Sequence, residues 1–411
     1  MEYSALHIGP EEKLRLYRYE AEQELQSILN WWMKNLPDEE VSGFYGEINA
    51  ENSIQKKAPR GLVLNSRILW TFSAAYLHTG NKEYLLFADR AFNYIKTFFL
   101  DPVYGGMYWS VDYKGQIHQD KKQVYGIAFC IYGFTEYYLA TGDEQSLELA
   151  IELFQLLEKY SYDPEHGGYF EAFSRNWKPI ADLRLSEKDA NEKKTMNTHL
   201  HILEAYTNLY KVWQTDSLAD AINSLLKTFQ KNIISPQSHQ HLFFSETLEV
   251  RSKIISYGHD IEASWLLFEA SELLGNKSNK LFFENNAVEM ANAALSGVDK
   301  DGGMWYEYDS ISRHYNKEKH WWPQAEAMVG FFNAYQVSGN SIYLQHSQNS
   351  WNYIKNNILD RVNGEWYWGL KEDGSTMDKE KAGFWKCPYH NSRACMEISK
   401  RISTIQKQST G

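Results

Sequence analysis

The chain has 411 residues, of which 43% are hydrophobic and 23% charged, and this ordinary globular composition excludes a disordered, collagenous or membrane-spanning protein. Its 42 basic and 53 acidic side chains leave a formal charge of −11. That charge argues against a nucleic-acid partner and against an acidic lipid surface, because both need a basic face. Aromatic residues are frequent, with 14 Trp, 28 Tyr and 20 Phe, a composition that suits stacking on flat apolar faces of a ligand.

The N-terminal 25 residues have no basic stretch followed by an apolar segment, and the longest apolar runs, such as 127–134, are far shorter than a membrane span. We therefore expect an unexported chain in the cytoplasm. Cys130, Cys387 and Cys395 are a sparse, odd-numbered set without the spacing of zinc ligands. Neither a disulfide framework nor a structural metal site is expected.

A glycine-rich turn followed by aromatic residues recurs along the chain, as in SGFYGEI at Ser42 and YGGMYWSVD at Tyr104. Five such turns and a weaker copy, HQHLFFSETLEV, are separated by 62, 62, 75, 60 and 62 residues. Their markers are Gly43, Gly105, Gly167, Leu242, Gly302 and Gly364. Near-equal intervals of this length indicate one supersecondary unit per repeat, so the sequence predicts six modules.

Two helical stretches lie between successive markers, for example 61–80 and 82–100. The joints TGNKEY, TGDEQS, LGNKSN and SGNSIY are typical of a helix ending at glycine and followed at once by another helix. Twelve helices in six hairpins predict an all-α protein, an (α/α)6 barrel with short β-hairpin-like loops at one end. We expect residues 1–411 to form this one domain. An open helical solenoid is the alternative.

In a closed ring the six inner helices run in the same direction, so their N-termini face one mouth of the barrel and favour a developing anion there. The spacing places Asn197 and His201 on one helix face, and His259 and Glu262 on another. His390 lies in the first turn of the last helix. Three histidines at equivalent depth in three repeats indicate a shared site rather than isolated structural roles.

A metal site is one rival interpretation, because His199 and His201 form an H-x-H pair and Glu262 follows His259 by one helical turn. We expect His199 to face away from His201, because residues two apart on a helix diverge, and no bound metal is expected. His239 and His241, in the weak repeat, are interpreted as part of a solvated turn.

Five segments at the starts of the inner helices carry a family resemblance. They are RGLVLNSRILWTF, MNTHLHILEAY, YGHDIEASWLL, HWWPQAEAMVGF and GFWKCPYHNSRACMEI. Together they resemble the N-acylglucosamine 2-epimerase superfamily, most closely its cellobiose 2-epimerases. The resemblance covers nearly the whole chain and implies an (α/α)6 barrel, in agreement with the repeat count.

The resemblance implies that His259 and His390 are the catalytic acid/base pair and that His201 assists them at the reacting sugar. It also implies a polar lining and two stacking platforms, and no cofactor. The lining residues are Arg67, Tyr125, Asn197 and Glu262, and the platforms are Trp322 and Trp385. Arg60, Trp70 and Glu326 also match the family. These three matches carry less weight, because the start of a helix needs capping, core and ion-pairing residues whatever the protein does.

The implied reaction is 2-epimerisation of the reducing-end glucose of a β-1,4-linked disaccharide, such as cellobiose to glucosylmannose, with lactose or mannobiose as other substrates. Ring opening and loss of the C2 proton give an enediolate, and imidazole can both accept and donate that proton near neutral pH. Arg67 and Asn197 suit the enediolate charge, while Glu262 is placed to fix the tautomer of His259.

Other functions stay open from sequence alone. An N-acylglucosamine 2-epimerase or an aldose–ketose isomerase would use the same enediolate. An inverting glycoside hydrolase on this barrel would use Glu262 and Glu326 about 6.5 to 9.5 Å apart. A Cys387–His390 nucleophile pair and a non-catalytic sugar-binding protein are further rivals.

We expect a small-molecule disaccharide as the partner, and a monomer or homodimer. The segment 178–195 accounts for the one long interval between repeats. Because it is polar and directly precedes the helix of His201, it is either a lid over the mouth or a solvated loop.

Overall fold

Glycines in the left-handed conformation end four helices of the computed structural model, which describes residues 9–410. They are Gly80, Gly142, Gly275 and Gly339, with φ of 73°, 73°, 69° and 69°. At each of them the next helix begins two residues later and runs back alongside the first. The predicted hairpin joints are thus confirmed.

The helices form two layers. The inner helices are α2 (Leu62–Thr79), α4 (Val124–Thr141), α6 (Met196–Tyr210), α8 (Tyr257–Leu274), α10 (Trp321–Ser338) and α12 (Tyr389–Thr410). The outer helices are α1 (Pro10–Asn35), α3 (Lys82–Phe98), α5 (Glu144–Tyr160), α7 (Asp216–Thr228), α9 (Lys277–Ala294) and α11 (Ser341–Tyr353). Inner helices such as α2 are buried on every face of their first turns, whereas outer helices such as α3 bury one stripe.

The ring closes in both the helices and the loops. Each inner helix packs against the next one, and α12 packs against α2. In the loops, the main-chain N–H groups of Lys381 and Ala382 donate to the carbonyl of Ile48, at 2.9 and 3.3 Å. The open solenoid is therefore excluded, and the predicted (α/α)6 barrel is confirmed.

Short strands lie at the mouth, where the inner helices begin. They are β1 (Arg60–Gly61), β2 (Ser110–Val111), β3 (Ile117–Gln119), β4 (Lys122–Gln123), β5 (Ala172–Phe173), β6 (Lys194–Thr195), β7 (Phe243–Phe244), β8 (Ile254–Ser256), β9 (Glu307–Asp309), β10 (His314–Asn316), β11 (Lys319–His320) and β12 (Gly369–Leu370). Five of them directly precede an inner helix, and each of these five pairs antiparallel with a strand of the next module.

An ion pair joins the rim to the preceding turn in five of the six modules; four cations lie in rim strands and Lys381 lies beside them, and the partners are buried except Asp299, which is 35% exposed. The pairs are Arg60–Asp38, Lys122–Asp101 (2.9 Å), Lys194–Asp163 (2.6 Å), Lys319–Asp299 (2.8 Å) and Lys381–Asp360 (2.5 Å). All five aspartates also accept main-chain N–H bonds from residues that follow them, at positions 40, 103, 165, 300 and 362. The pair therefore fixes the turn and the strand together.

The fourth module uses a different link. Ser235 and Ile255 stand where the other modules have aspartate and lysine. Here Asp260 of α8 binds Nδ1 of His239 at 2.7 Å, so the interpretation of His239 as part of a solvated turn is wrong. The left-handed residue of this turn is Ser238, four positions before the marker inferred from sequence.

No helix of the described residues combines the length and apolarity that crossing a membrane requires. Residues 1–8, part of the N-terminal segment in which no export signal is expected, lie outside the described residues.

Replacing Lys194 by methionine is expected to lower the free energy of unfolding by about 3–5 kcal/mol, because Asp163 stays buried without its counter-charge. Two main-chain carbonyls also lose their donor, at 2.7 and 2.6 Å. Thermal unfolding followed by circular dichroism measures the effect. Lys280→Met is the control, since Lys280 pairs with Glu272 on the surface and its loss should barely move the midpoint. Equal shifts in the two variants would contradict the expectation.

Candidate active site

Three histidines meet near the mouth, each from an early turn of an inner helix. The rings of His259 and His390 both contact the indole of Trp322, with ring centroids 4.7 and 5.7 Å away. The ring of His201 packs against Phe129 at 4.7 Å, which in turn contacts Tyr389 beside His390. The structure therefore brings together the three histidines that the sequence singled out.

The hydrogen bonds at Nδ1 differ among the three rings. In His390 Nδ1 lies 2.7 Å from Oε1 of Glu326, and in His201 it lies 2.9 Å from Oε2 of Glu204. In His259 it lies 2.8 Å from the hydroxyl of Ser256. Within the described residues no protein group bonds Nε2 of any of the three, which leaves that nitrogen for a ligand.

The partners of Nδ1 determine the tautomers. When Glu326 is ionised its Oε1 only accepts, as it does from Arg393, so Nδ1 of His390 then carries the proton and Nε2 the lone pair. A hydroxyl donates or accepts equally well, so Ser256 leaves both tautomers open to His259.

Burial keeps the imidazoles neutral at neutral pH. It lowers the pKa of His259 to about 3. The pKa of His390 is lowered by burial and then by the positive charges of Arg67 and Arg393. Burial also lowers the pKa of His201, although its bond to Glu204 opposes that shift. Neutral rings with a free Nε2 are able to accept a proton.

Arg393 of α12 holds carboxylates from three other inner helices. Its Nη2 donates to Oε1 of Glu262 at 2.8 Å and to Oε1 of Glu326 at 2.6 Å, and its Nη1 donates to Glu204. Burial and the repulsion of Glu326 raise the pKa of Glu262 to about 8. The two carboxyl groups beside Arg393 therefore do not both carry a full charge at neutral pH.

Glu262 has a different partner from the one expected. It lies on the same helix as His259 but bonds to Arg393, and it is 3.9 Å from Nδ1 of His390. The expectation that Glu262 fixes the tautomer of His259 is wrong, because Ser256 takes that position.

Arg67 is buried, with 3% of its surface exposed, and forms no ion pair with any described residue. Its Nη2 donates to the hydroxyl of Tyr125 at 2.8 Å and its Nη1 to the sulfur of Cys387 at 3.6 Å. The aromatic rings of Phe129 and Tyr389 lie 4.2 and 4.8 Å from its guanidinium carbon. A buried cation without a carboxylate partner is suited to an anionic ligand.

The remaining predicted residues line the same region. Oδ1 of Asn197 is buried without a hydrogen-bond partner among the described residues. Trp322 and Trp385 are only partly buried, and Trp385 contacts Tyr125 at 5.9 Å. A Cβ at Gly258 would lie 2.5 Å from Trp322, so glycine there lets the indole lie against α8.

Two residue pairs suggested other functions: His199 with His201 as metal ligands, and Cys387 with His390 as a nucleophile and its base. Neither pair is bonded in the structure. His199 is bonded through both ring nitrogens to main-chain groups, of Thr195 at 2.6 Å and Tyr169 at 2.9 Å, and so faces away from His201 as predicted. Cys387 bonds Arg67 rather than His390.

Glu262 and Glu326, the two carboxylates that an inverting hydrolase would use, do not have the spacing of such an enzyme. Glu262, Glu326 and His390 offer ligand atoms that lie within 4.8 Å of one another, which is also the arrangement of a candidate cation site. This separation is shorter than the 6.5 to 9.5 Å typical of an inverting hydrolase, and the guanidinium of Arg393 already supplies the positive charge between the two glutamates.

The segment 178–195 lies along the rim of the mouth. The carbonyls of Leu183 and Arg184 accept from Gln123 at 3.1 Å and from Lys121 at 3.0 Å, next to the start of α4. On the other side, burial and then the charge of Asp189 raise the pKa of Glu307, in β9, to about 7. The segment is thus hydrogen-bonded beside the start of α4 and passes near β9.

Sequence reasoning missed Glu204 and Arg393. Both follow a site histidine by three residues, the spacing that drew attention to Glu262, so the same rule applied to every histidine would have found them. Arg60 and Trp70 lie elsewhere: Arg60 pairs with Asp38, and Trp70 is packed against Tyr389 at 5.2 Å.

Comparison with known proteins assigns this arrangement to a family. The chain matches the family model of N-acylglucosamine 2-epimerase (GlcNAc 2-epimerase) over residues 43–394. The chain belongs to the N-acylglucosamine 2-epimerase family. The predicted relationship is thereby confirmed, and so is the expectation that the protein is an isomerase of this family.

Close relatives within the N-acylglucosamine 2-epimerase family are cellobiose 2-epimerases. The enzyme of Bacteroides fragilis is 46% identical over 93% of this chain and 98% of its own length. That of Ruminococcus albus is 40% identical over 93% of this chain and 98% of its own length. The solved cellobiose 2-epimerase from Bacillus thermoamylovorans matches the fold with a TM-score of 0.90 at 39% identity, covering 94% of this chain and all of that one.

We expect His259 to stay neutral at pH 5, where an imidazole with the usual pKa of about 6.5 is largely protonated. The nitrogen chemical shifts of ¹⁵N-histidine-labelled protein, followed from pH 8 to pH 5, measure this. The spectrum of His259→Gln identifies the signal, and the urea-unfolded protein is the reference. Titration of His259 near pH 6.5 in the folded protein would contradict the burial argument.

Proposed function

We propose that this chain converts the reducing-end glucose of a β-1,4-linked disaccharide to mannose by 2-epimerisation, as in cellobiose to glucosylmannose, with lactose or mannobiose as further substrates. Relatives at 46% and 40% identity are cellobiose 2-epimerases. The observation that carries the chemistry is the approach of the neutral rings of His259 and His390 to the same indole, Trp322.

His390 is suited to remove the C2 proton of the open-chain sugar. Its Nε2 carries the lone pair, because Nδ1 donates to Glu326. The imidazolium that forms when Nε2 takes the proton is stabilised by Glu326. The proton leaves C2 and its electron pair moves into the enediolate, so that charge is conserved in the step.

His259 is suited to return a proton to the opposite face of C2. Rotation about the C2–C3 bond of the planar enediolate exposes that face. With Ser256 donating to Nδ1, the neutral ring carries its proton on Nε2 and can deliver it to C2. Delivery leaves an imidazolate on His259 and an imidazolium on His390, so the cycle closes when the proton held by His390 is passed back to His259 through the sugar oxygens or water. His201, which electrostatically influences both other histidines, assists at the sugar oxygens.

Arg67 stabilises the negative charge of the enediolate oxygens. A buried guanidinium with two aromatic faces and no carboxylate partner among the described residues gains an anion only when the intermediate forms. Asn197 contributes a second polar group through its side chain, whose Oδ1 has no protein partner in the described chain.

Stacking holds the two sugars. Trp322 lies against the two catalytic histidines and faces the reacting ring, while Trp385 lies beside Tyr125 and suits the second sugar. The rim segment 178–195 acts as a lid over that second sugar. In this proposal residues 1–411 act as one catalytic domain that needs no cofactor.

Incubation with cellobiose in D₂O tests the reaction class. We expect a mannose-type reducing end carrying deuterium at C2, seen by carbon NMR, with no change in the number of reducing ends. Free glucose would indicate a hydrolase, a ketose product an isomerase, and turnover of N-acetylglucosamine alone an N-acylglucosamine 2-epimerase. Broadened signals of unchanged cellobiose would indicate a sugar-binding protein. Each of these results would overturn the proposal.

His259→Ala and His390→Ala should each lower kcat roughly 10²-fold to 10⁴-fold, the usual contribution of a general acid or base. His346→Ala, on the outer helix α11, is the matched control and should retain normal turnover. Near-normal turnover in either site variant would remove that histidine from the mechanism.

Arg67→Lys should lower kcat/KM roughly 10²-fold to 10³-fold, because a lysine cannot reproduce the two directed donors of the guanidinium. Arg401→Lys, further along α12, controls for the substitution itself. Steady-state rates with cellobiose measure both variants. Equal activity of Arg67→Lys and wild type would show that Arg67 only fills space.

A further inference from the structure

Glu204 of α6 lies in the centre of the barrel, with 5% of its surface exposed, and both carboxylate oxygens are bonded. Oε2 lies 2.9 Å from Nδ1 of His201, one helical turn earlier. Oε1 accepts from the hydroxyl of Tyr389 and from Nη1 of Arg393, both on α12. The side chain thus connects His201 to the helix that carries His390.

The charge of Glu204 decides which nitrogen of His201 carries the proton. Burial alone would raise the pKa of this carboxyl, but Arg393 and His201 outweigh that effect and lower it to about 2. An ionised carboxylate only accepts hydrogen bonds. Nδ1 of His201 must therefore be the donor, and Nε2 must carry the lone pair.

We propose that Glu204 is a positioning residue that holds His201 in the tautomer with a proton on Nδ1 and an accepting Nε2. In the proposed reaction, on which this inference rests, Nε2 then accepts a hydrogen bond from a sugar hydroxyl next to the reacting carbon. No covalent step is assigned to His201. Its function depends on presenting a lone pair rather than an N–H group.

The packing around His201 should hold its ring in place even when a substitution at Glu204 changes its tautomer. His201 is packed between Tyr125 at 5.0 Å and Phe129 at 4.7 Å, so its position does not depend on Glu204 alone. Arg393 keeps two other carboxylates, at 2.8 and 2.6 Å, when the charge of Glu204 is removed. A variant in which Glu204 is replaced by a side chain of similar shape is therefore expected to fold.

Glu204→Gln reverses the hydrogen bond to His201. Arg393 can only donate, so the amide oxygen of the new side chain takes the place of Oε1 and its NH₂ group faces Nδ1. An NH₂ group donates, and the ring must then accept at Nδ1 and carry its proton on Nε2. We expect this change of tautomer to lower kcat about 10²-fold while KM changes much less.

The tautomer is measured directly in ¹⁵N-histidine-labelled protein without substrate. Wild-type His201 should show a protonated Nδ1, and Glu204→Gln a protonated Nε2. Glu204→Asp, which keeps the charge, should keep the wild-type tautomer. Glu272→Gln, an exposed glutamate paired with Lys280 at 2.8 Å, is the control and should change neither spectrum nor rate.

Several results would overturn the proposal: a proton on Nε2 of His201 in the wild type, an unchanged tautomer in Glu204→Gln, or a reversed tautomer with unchanged kcat.

A double variant supplies a further test. Once His201 is alanine, adding Glu204→Gln should cost no further activity, and an additive loss would show that Glu204 acts independently. Failure of the proposed function appears separately, as a wild type that does not epimerise cellobiose, because the spectra need no turnover.

Discussion

The buried ion pair between a rim strand and the preceding turn is the interaction on which the geometry of the mouth depends. In the modules of Lys122, Lys194 and Lys319 the cation lies two residues before an inner helix, so the pair sets the depth at which that helix starts. Water has little access to the pairs of Lys122 and Lys194, and breaking one of them leaves an uncompensated charge in the protein interior. Among the site histidines, His201 lies on a helix whose start is held in this way, whereas the helix of His259 is held by the bond between Asp260 and His239.

Two buried arginines face the site with opposite electrostatic surroundings. Arg393 is held by carboxylates from three helices, and its charge is used to bind the barrel together and to support His201 and His390 through their glutamates. Arg67 has only aromatic rings, a phenol and a thiol around it. The first cation is already neutralised by the protein, and in the proposed reaction the second is the one that would meet the anionic intermediate. Burial alone does not distinguish the two side chains, since both are almost fully buried, whereas their partners do.

The sequence predicted the ring and the three histidines because both depend on local periodicity. Glycine joints and near-equal repeats define the hairpins, and the helical spacing identifies which residues share a face. It did not predict that Glu262 bonds Arg393 instead of His259, since that choice depends on a residue 131 positions away on another helix. The His239–Asp260 link was missed for the same reason. Helical spacing shows which side chains share a face, but the partner that each one takes depends on the neighbouring helices of the packed barrel.

The hydroxyl of Ser256 beside His259 has a consequence for the balance between substrate and product. A hydroxyl group rotates about its C–O bond at low cost, so its bond to Nδ1 can point either way without moving a heavy atom. Glucose and mannose at the reducing end differ only in the configuration of one carbon, and an epimerase must process both from opposite faces. A freely turning partner lets His259 act as acid toward one epimer and as base toward the other, once proton exchange has restored the two rings after each turnover.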